Sequence, residues 1–89
     1  MFIRQLLYGP RFIKQFNLLP LRIKNISIKK VEIFKTNPIH PSLRLHSLNG
    51  FNNVYSISIN MNYRIIFERK NNGDIIFISA GKHDIYKNL

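Results

Sequence analysis

The chemistry-bearing residues of this chain sit in three short strings. His83 lies in GKHDIY (Gly81 to Tyr86), His46 in LHSLNG and Arg64 in YRIIF. An imidazole gives or takes a proton near neutral pH. A guanidinium stays charged and offers a planar fork of donors that suits a phosphate. Such a set suits cleavage of RNA by its own 2′-hydroxyl. That reaction needs a base for the hydroxyl, charge relief at five-coordinate phosphorus and an acid for the leaving 5′-oxygen, and it requires no metal. Lys82 adds a flexible cation. Each residue also has a plainer reading. A lone histidine is often surface decoration, an arginine in a strand often faces solvent, Asp84 suits a weak surface ion pair, and Tyr86 suits a ring capping the core. His40, between Ile39 and Pro41, reads as a loop residue.

The elements that must bring these residues together are two consecutive hairpins. VYSISINM alternates, with Tyr55, Ile57 and Ile59 on one face and Ser56, Ser58 and Asn60 on the other. A turn through Asn60-Met61-Asn62 leads into YRIIFERK. Pairing Tyr55 with Phe67, Ile57 with Ile65 and Ile59 with Tyr63 gathers the apolar sets on one face, and a one-residue slip would invert them. Asn72-Gly73 is a strong two-residue hairpin signal. With that pair at the turn centre, Asn71 opposes Asp74, Phe67 opposes Ile78 and Arg64 opposes Gly81. His83 then falls close to Arg64. The same register puts Ile66 and Phe77 on the Arg64 face.

The front half carries helical cues. Phe2 to Tyr8 reads as a short strand stopped by Gly9-Pro10. Pro10 suits the first turn of a helix, and Phe12, Phe16 and Leu19 follow on one helical face. Leu21 to Thr36 has no glycine or proline and reads as a long helix ended by Asn37-Pro38. Ile23, Val31 and Phe34 share its apolar face, with Ser27 in the middle. In HPSLRLHSLNG, Leu43 and Leu45 alternate with Arg44 and His46, so a short strand is expected before Asn49-Gly50.

At 89 residues the chain reads as one domain spanning residues 1–89. Fourteen Lys and Arg against four acids give a net charge of +10, which favours a polyanionic partner. Cysteine is absent, which excludes disulfides and thiolate chemistry and fits a reducing cytoplasm. Three histidines and four carboxylates would supply a metal site poorly, and no cofactor is expected. No apolar run is long enough to span a bilayer. The acid-poor start, MFIRQLLYGPRFIKQF, repeats aromatic residues at helical spacing and reads as a folded element rather than a targeting segment. The residues alone thus describe a basic α+β domain with a phosphate site at the end of its last strand.

The chain resembles the RelE/ParE superfamily of bacterial toxin–antitoxin toxins, in its RelE/YafQ-like branch. FIKQFNLLP, a long helix closing on FKTNP, HPSLRLHSLNG, YSISINMNYRIIF and GKHDIY stand in the family's order, over nearly the whole chain. The resemblance implies two N-terminal helices packed on a curved antiparallel sheet with a short N-terminal strand. It implies a cytoplasmic messenger-RNA endoribonuclease that acts at the ribosome and is held inactive by a cognate antitoxin in a hetero-oligomer. By position, His83 matches the acid–base histidine of the YafQ-like toxins, His46 a second active-site histidine, and Arg64 the arginine that holds the scissile phosphate. Lys82 and Arg44 would contact phosphate and Tyr86 would stack on a base. Ile66 and Phe77, apolar residues that the register puts on the Arg64 face, would receive the antitoxin or the RNA bases. The YafQ toxin carries an aspartate where this chain has Asn62 and a histidine near Ser58. Two alternatives stay open: a ParE-like gyrase inhibitor that cuts no RNA, and a decayed toxin that only binds its antitoxin.

Overall fold

The computed structural model describes residues 1–85. Strand β1 (Gln5–Tyr8) leads into helix α1 (Pro10–Asn17) and helix α2 (Leu21–Thr36). A 3-10 turn (Pro41–Leu43) precedes strands β2 (His46–Ser47), β3 (Val54–Ser58), β4 (Tyr63–Arg69) and β5 (Asp74–Lys82). The sheet order is β1-β5-β4-β3-β2. β1 runs parallel to β5, and the remaining neighbours are antiparallel.

α1 begins with Pro10 at its first helical position, where a missing N–H costs nothing. α2 takes the bounds expected from its unbroken run and stops before Pro38. Ser27, mid-face and fully buried, donates its hydroxyl to the Ile23 carbonyl, which satisfies a polar group inside the core. Phe34 from α2 and Phe12 from α1 press onto Phe67 and Phe77 of the sheet, with Ile57, Ile65, Ile75 and Leu43 filling the space between. The helices therefore occupy one sheet face, and the site must lie on the other.

The β3–β4 register is the expected one: Tyr55 opposes Phe67, Ile57 opposes Ile65 and Ser58 opposes Arg64. The Ile59 N–H donates to the Tyr63 carbonyl at the hairpin's end. The β4–β5 hairpin differs from the two-residue turn expected. Lys70, not Asn71, faces Asp74, and the Gly73 N–H bonds back to the Lys70 carbonyl. Asn71, Asn72 and Gly73 form a three-residue loop, with Gly73 at φ 94, a backbone only glycine takes freely. The loop shifts pairing by one residue, so Phe67 faces Phe77 rather than Ile78. A bulge then absorbs Ile78, Ile66 faces Ser79, and Arg64 meets Gly81 after all.

The shift moves Phe77 off the Arg64 face and into the core, where it is fully buried. It cannot receive an antitoxin there. Leu43 and Arg44 also depart from expectation. They belong to the 3-10 turn and its end, not to a strand, and β2 is confined to His46–Ser47.

The turn end of β5 is pinned by Asp74. Its carboxylate accepts from Arg4 Nη1 at 2.7 Å, Gln5 Nε2 at 3.1 Å and Asn72 Nδ2 at 3.3 Å. These bonds, from Gln5 first and Arg4 next, outweigh burial and hold Asp74 below the ordinary value of 3.8. A depressed carboxylate stabilises the fold above its unfolded value and loses that contribution as pH falls through the folded one. Asp74→Asn should therefore lower the urea midpoint at neutral pH, and its deficit against the parent should shrink below about pH 4. Phe77→Ala should cost about 3–5 kcal/mol in urea unfolding, the range for emptying a core phenylalanine. A loss below about 0.5 kcal/mol would mean a surface position instead.

Candidate active site

On the face away from the helices, a cleft of about 310 Å³ is lined by His46, Ser47, Leu48, Asn49, Ser56, Arg64, Ile66 and His83. The ladder explains the grouping. His46 on β2 faces Ser56 on β3, and Ser56 faces Ile66 on β4, so the three form one row across the sheet. The next row is Ser58, Arg64 and Gly81. His46 comes from one side of β4, and His83, just beyond β5, comes from the other.

Arg64 is held along one edge of its fork. Its Nη1 donates to the Asn60 carbonyl at 2.6 Å, to Ser58 Oγ at 3.2 Å and to the Tyr63 carbonyl at 3.2 Å. Ser58 Oγ in turn donates to the same Asn60 carbonyl at 2.7 Å. Among the described residues no oxygen takes the other donors of the fork. Burial first, and then the positive charge of Arg44, pull Arg64 below its ordinary value. That value is so high that the group stays charged. Of the four acids, Glu32 pairs with Lys35, Glu68 with Lys70 and Asp74 with Arg4, and among the described residues no ion pair joins Asp84, next to His83, to Arg64. A part-buried guanidinium with a second positive charge near it favours an anion at its open side.

His83 follows β5 in a turn, and its N–H donates to the Asn62 carbonyl at 2.8 Å. The turn is shaped by Gly81, where a Cβ would sit 2.5 Å from Ile85 Cγ2. Only a hydrogen at that position lets Ile85 fold back over the strand. His46 is held differently, through Nδ1, which lies 3.0 Å from the Arg44 carbonyl. Arg44 ends the 3-10 turn at φ 48 and ψ 46, the left-handed region, which costs a side-chain-bearing residue about 1–2 kcal/mol.

No family model and no curated protein matches the sequence. Solved structures match the fold. YafQ from E. coli strain BL21(DE3) superposes with a TM-score of 0.74 at 16% identity, covering 91% of this chain and 94% of that one. The RelB–RelE antitoxin–toxin complex of Methanococcus jannaschii matches with a TM-score of 0.71 at 27% identity, over 93% and 98% of the chains. A YoeB/ParE toxin from Agrobacterium tumefaciens gives 0.73 at 13% identity, over 89% and 98%. The fold is that of the RelE/ParE toxin superfamily.

Within this RelE-like frame the three residues expected to act together, His46, Arg64 and His83, line one cleft. Ile66 forms part of its lining but is only 1% exposed, so it offers little open surface for a protein partner. Lys82 faces Tyr63, in the alternate row from Gly81 and Arg64, and is outside the cleft lining. Arg44 is exposed and reaches Arg64 by its charge. Tyr86 lies outside the described residues. His40 is structural: its Nδ1 accepts the Ser42 N–H at 3.1 Å and starts the 3-10 turn. Sequence reading missed Asn49 and Ser56 as cleft residues. Ser56 was legible, since it lies on the polar face of β3 beside Ser58.

Gly81→Ala should push Ile85 outward and loosen the His83 turn while leaving the sheet intact. The expected result is amide exchange at His83 roughly five- to tenfold faster, the loss of about one net hydrogen bond, with little change in circular dichroism. Unchanged exchange would mean that Gly81 does not shape the turn.

Proposed function

We propose that the chain is a toxin of a type II toxin–antitoxin system and acts as an endoribonuclease on messenger RNA at the ribosome. The observation that carries this reading is the cleft. Two imidazoles approach a guanidinium with unspent donors from opposite sides of β4, and no described carboxylate neutralises it. One imidazole takes the 2′-hydroxyl proton as its oxygen attacks phosphorus. The other protonates the 5′-oxygen as the P–O bond breaks, leaving a 2′,3′-cyclic phosphate and a 5′-hydroxyl. Arg64 offsets charge on the equatorial oxygens of the five-coordinate intermediate. The +10 net charge supports landing on ribosomal RNA. The RelE solved with its antitoxin RelB supports a cognate antitoxin as the protein partner.

Expressed without an antitoxin, the parent chain should arrest growth and cut messenger RNA on ribosomes. His83→Ala and Arg64→Ala should each abolish both, a loss of at least about 10²-fold in cleavage for an acid–base or charge-stabilising group, with melting curves unchanged. Full toxicity of His83→Ala would remove the ribonuclease reading. Inhibited DNA supercoiling by the same variant would put a gyrase inhibitor in its place.

A further inference from the structure

The bond between His46 Nδ1 and the Arg44 carbonyl decides more than orientation. A carbonyl oxygen only accepts, so the 3.0 Å contact is a hydrogen bond only if Nδ1 carries the proton. Neutral His46 then has its lone pair on Nε2, the ring nitrogen that the Arg44 carbonyl does not hold. His40, at the other end of the same 3-10 turn, shows the opposite arrangement. Its Nδ1 accepts the Ser42 N–H, so its ring proton belongs on Nε2. One short turn thus sets opposite tautomers in the two imidazoles that flank it, and of these two only His46 lines the cleft.

Arg44 reaches this geometry by its backbone. Its N–H bonds to the Pro41 carbonyl at 3.2 Å, closing the turn, and its left-handed φ and ψ carry the carbonyl towards the ring two residues on. Backbone strain of this kind persists where the surroundings over-determine it, and it collects at functional sites.

We propose that Arg44 is a positioning residue whose left-handed backbone carbonyl locks His46 in the Nδ1–H tautomer, so that Nε2 is the base that takes the 2′-hydroxyl proton. His83, from the opposite side of Arg64, is then the acid for the 5′-oxygen. The acid–base assignment rests on the ribonuclease reading; the tautomer does not, and the test separates them.

Two substitutions remove the same guanidinium and differ in the backbone they allow. Glycine takes the left-handed region freely, whereas β-branched valine is an outlier there. With the whole chain labelled in its histidine ring nitrogens, at mildly alkaline pH, His46 of the parent and of Arg44→Gly should show a protonated Nδ1 and a bare Nε2. Arg44→Val should lose that signature. At saturating ribosome-bound RNA, Arg44→Val should cut roughly tenfold or more slowly than Arg44→Gly, a part of what a well-placed general base supplies. Arg44→Asn, which tolerates the left-handed region, should behave as Arg44→Gly, and Arg44→Ala, whose Cβ disfavours that region, should move towards Arg44→Val and serves as the contrast should the valine variant fold poorly. A proton on Nε2 of parental His46 would overturn the lock, as would the same tautomer and rate in the Gly and Val variants. A parent with the Nδ1–H signature and no cleavage would support the lock and overturn the ribonuclease reading alone.

Discussion

The β4–β5 ladder carries one more residue on β5 than on β4 between its two ends, and the site and the core both depend on it. Near the turn, Phe67 faces Phe77 and Arg69 faces Ile75. Near the open end, Ile65 faces Ala80 and Arg64 faces Gly81. Ile78 is the extra residue, and across it the side-chain alternation of β5 changes phase. Before the bulge, Ile75 and Phe77 point to the helices; after it, Ala80 does. Without the bulge, the register set by the three-residue loop would run to the end of the strand. Gly81 would then face Tyr63 rather than Arg64. With it, the loop end packs aromatics under α1 and α2, and the open end sets a residue without a side chain beside Arg64. Ile85 takes up the room that glycine leaves.

A second regularity runs through the site. The residues proposed to do chemistry are each held by a main-chain carbonyl from a turn. Arg44 offers its carbonyl to the His46 ring, Asn60 to the Arg64 guanidinium, and Asn62 to the His83 amide. Carbonyls suit this task because their positions follow from turn geometry rather than from a side-chain rotamer. The turn between β3 and β4 is itself fixed by a side chain: Asn60 Oδ1 accepts the N–H groups of Asn62 and Tyr63, each at 2.9 Å. One asparagine therefore shapes the loop whose carbonyls hold Arg64 and His83. This bears on Asn62, where the resemblance to the YafQ toxin implies an acid. What this chain takes from position 62 is the backbone, which the exchange of Asp for Asn leaves in place. Ser58, near the second departure, braces Arg64 with its hydroxyl.

Much of this was legible in the sequence, for physical reasons that differ by element. The bounds of α2 followed from a long run without glycine or proline. The β3–β4 register followed from the alternation of β3, which leaves one pairing that gathers Tyr55, Ile57 and Ile59 with Phe67, Ile65 and Tyr63 on one face. β5 resisted for the converse reason. DIIFIS is apolar in both phases, so alternation does not say which of Ile76, Phe77 and Ile78 face the helices. Asn72-Gly73 fits both a two-residue turn and the end of a three-residue loop. Arg64 opposite Gly81 was nonetheless correct, because loop and bulge offset each other by one residue. The left-handed backbone of Arg44 was beyond reach, since nothing in LRLHS marks an arginine for that region.

The placement of the site follows from what the other face already does. The helices and their aromatics use one side of the sheet, so the polar alternates of β3 and β4 are left facing outward as a ready-made floor. A floor alone does not make a cleft. The walls come from the two places where the chain leaves regular pairing: the two-residue β2 with the loop after it, and the turn beyond β5. Short elements of this kind have few neighbours to hold them, and the carbonyl bonds just described tie the His46 ring and the His83 backbone in place. The arrangement therefore divides labour between two kinds of structure. A packed sheet fixes Arg64, the charge that the proposed reaction would set against phosphorus. Backbone turns hold the other two, His46 by its ring and His83 by its main-chain N–H, at the rim of the cleft.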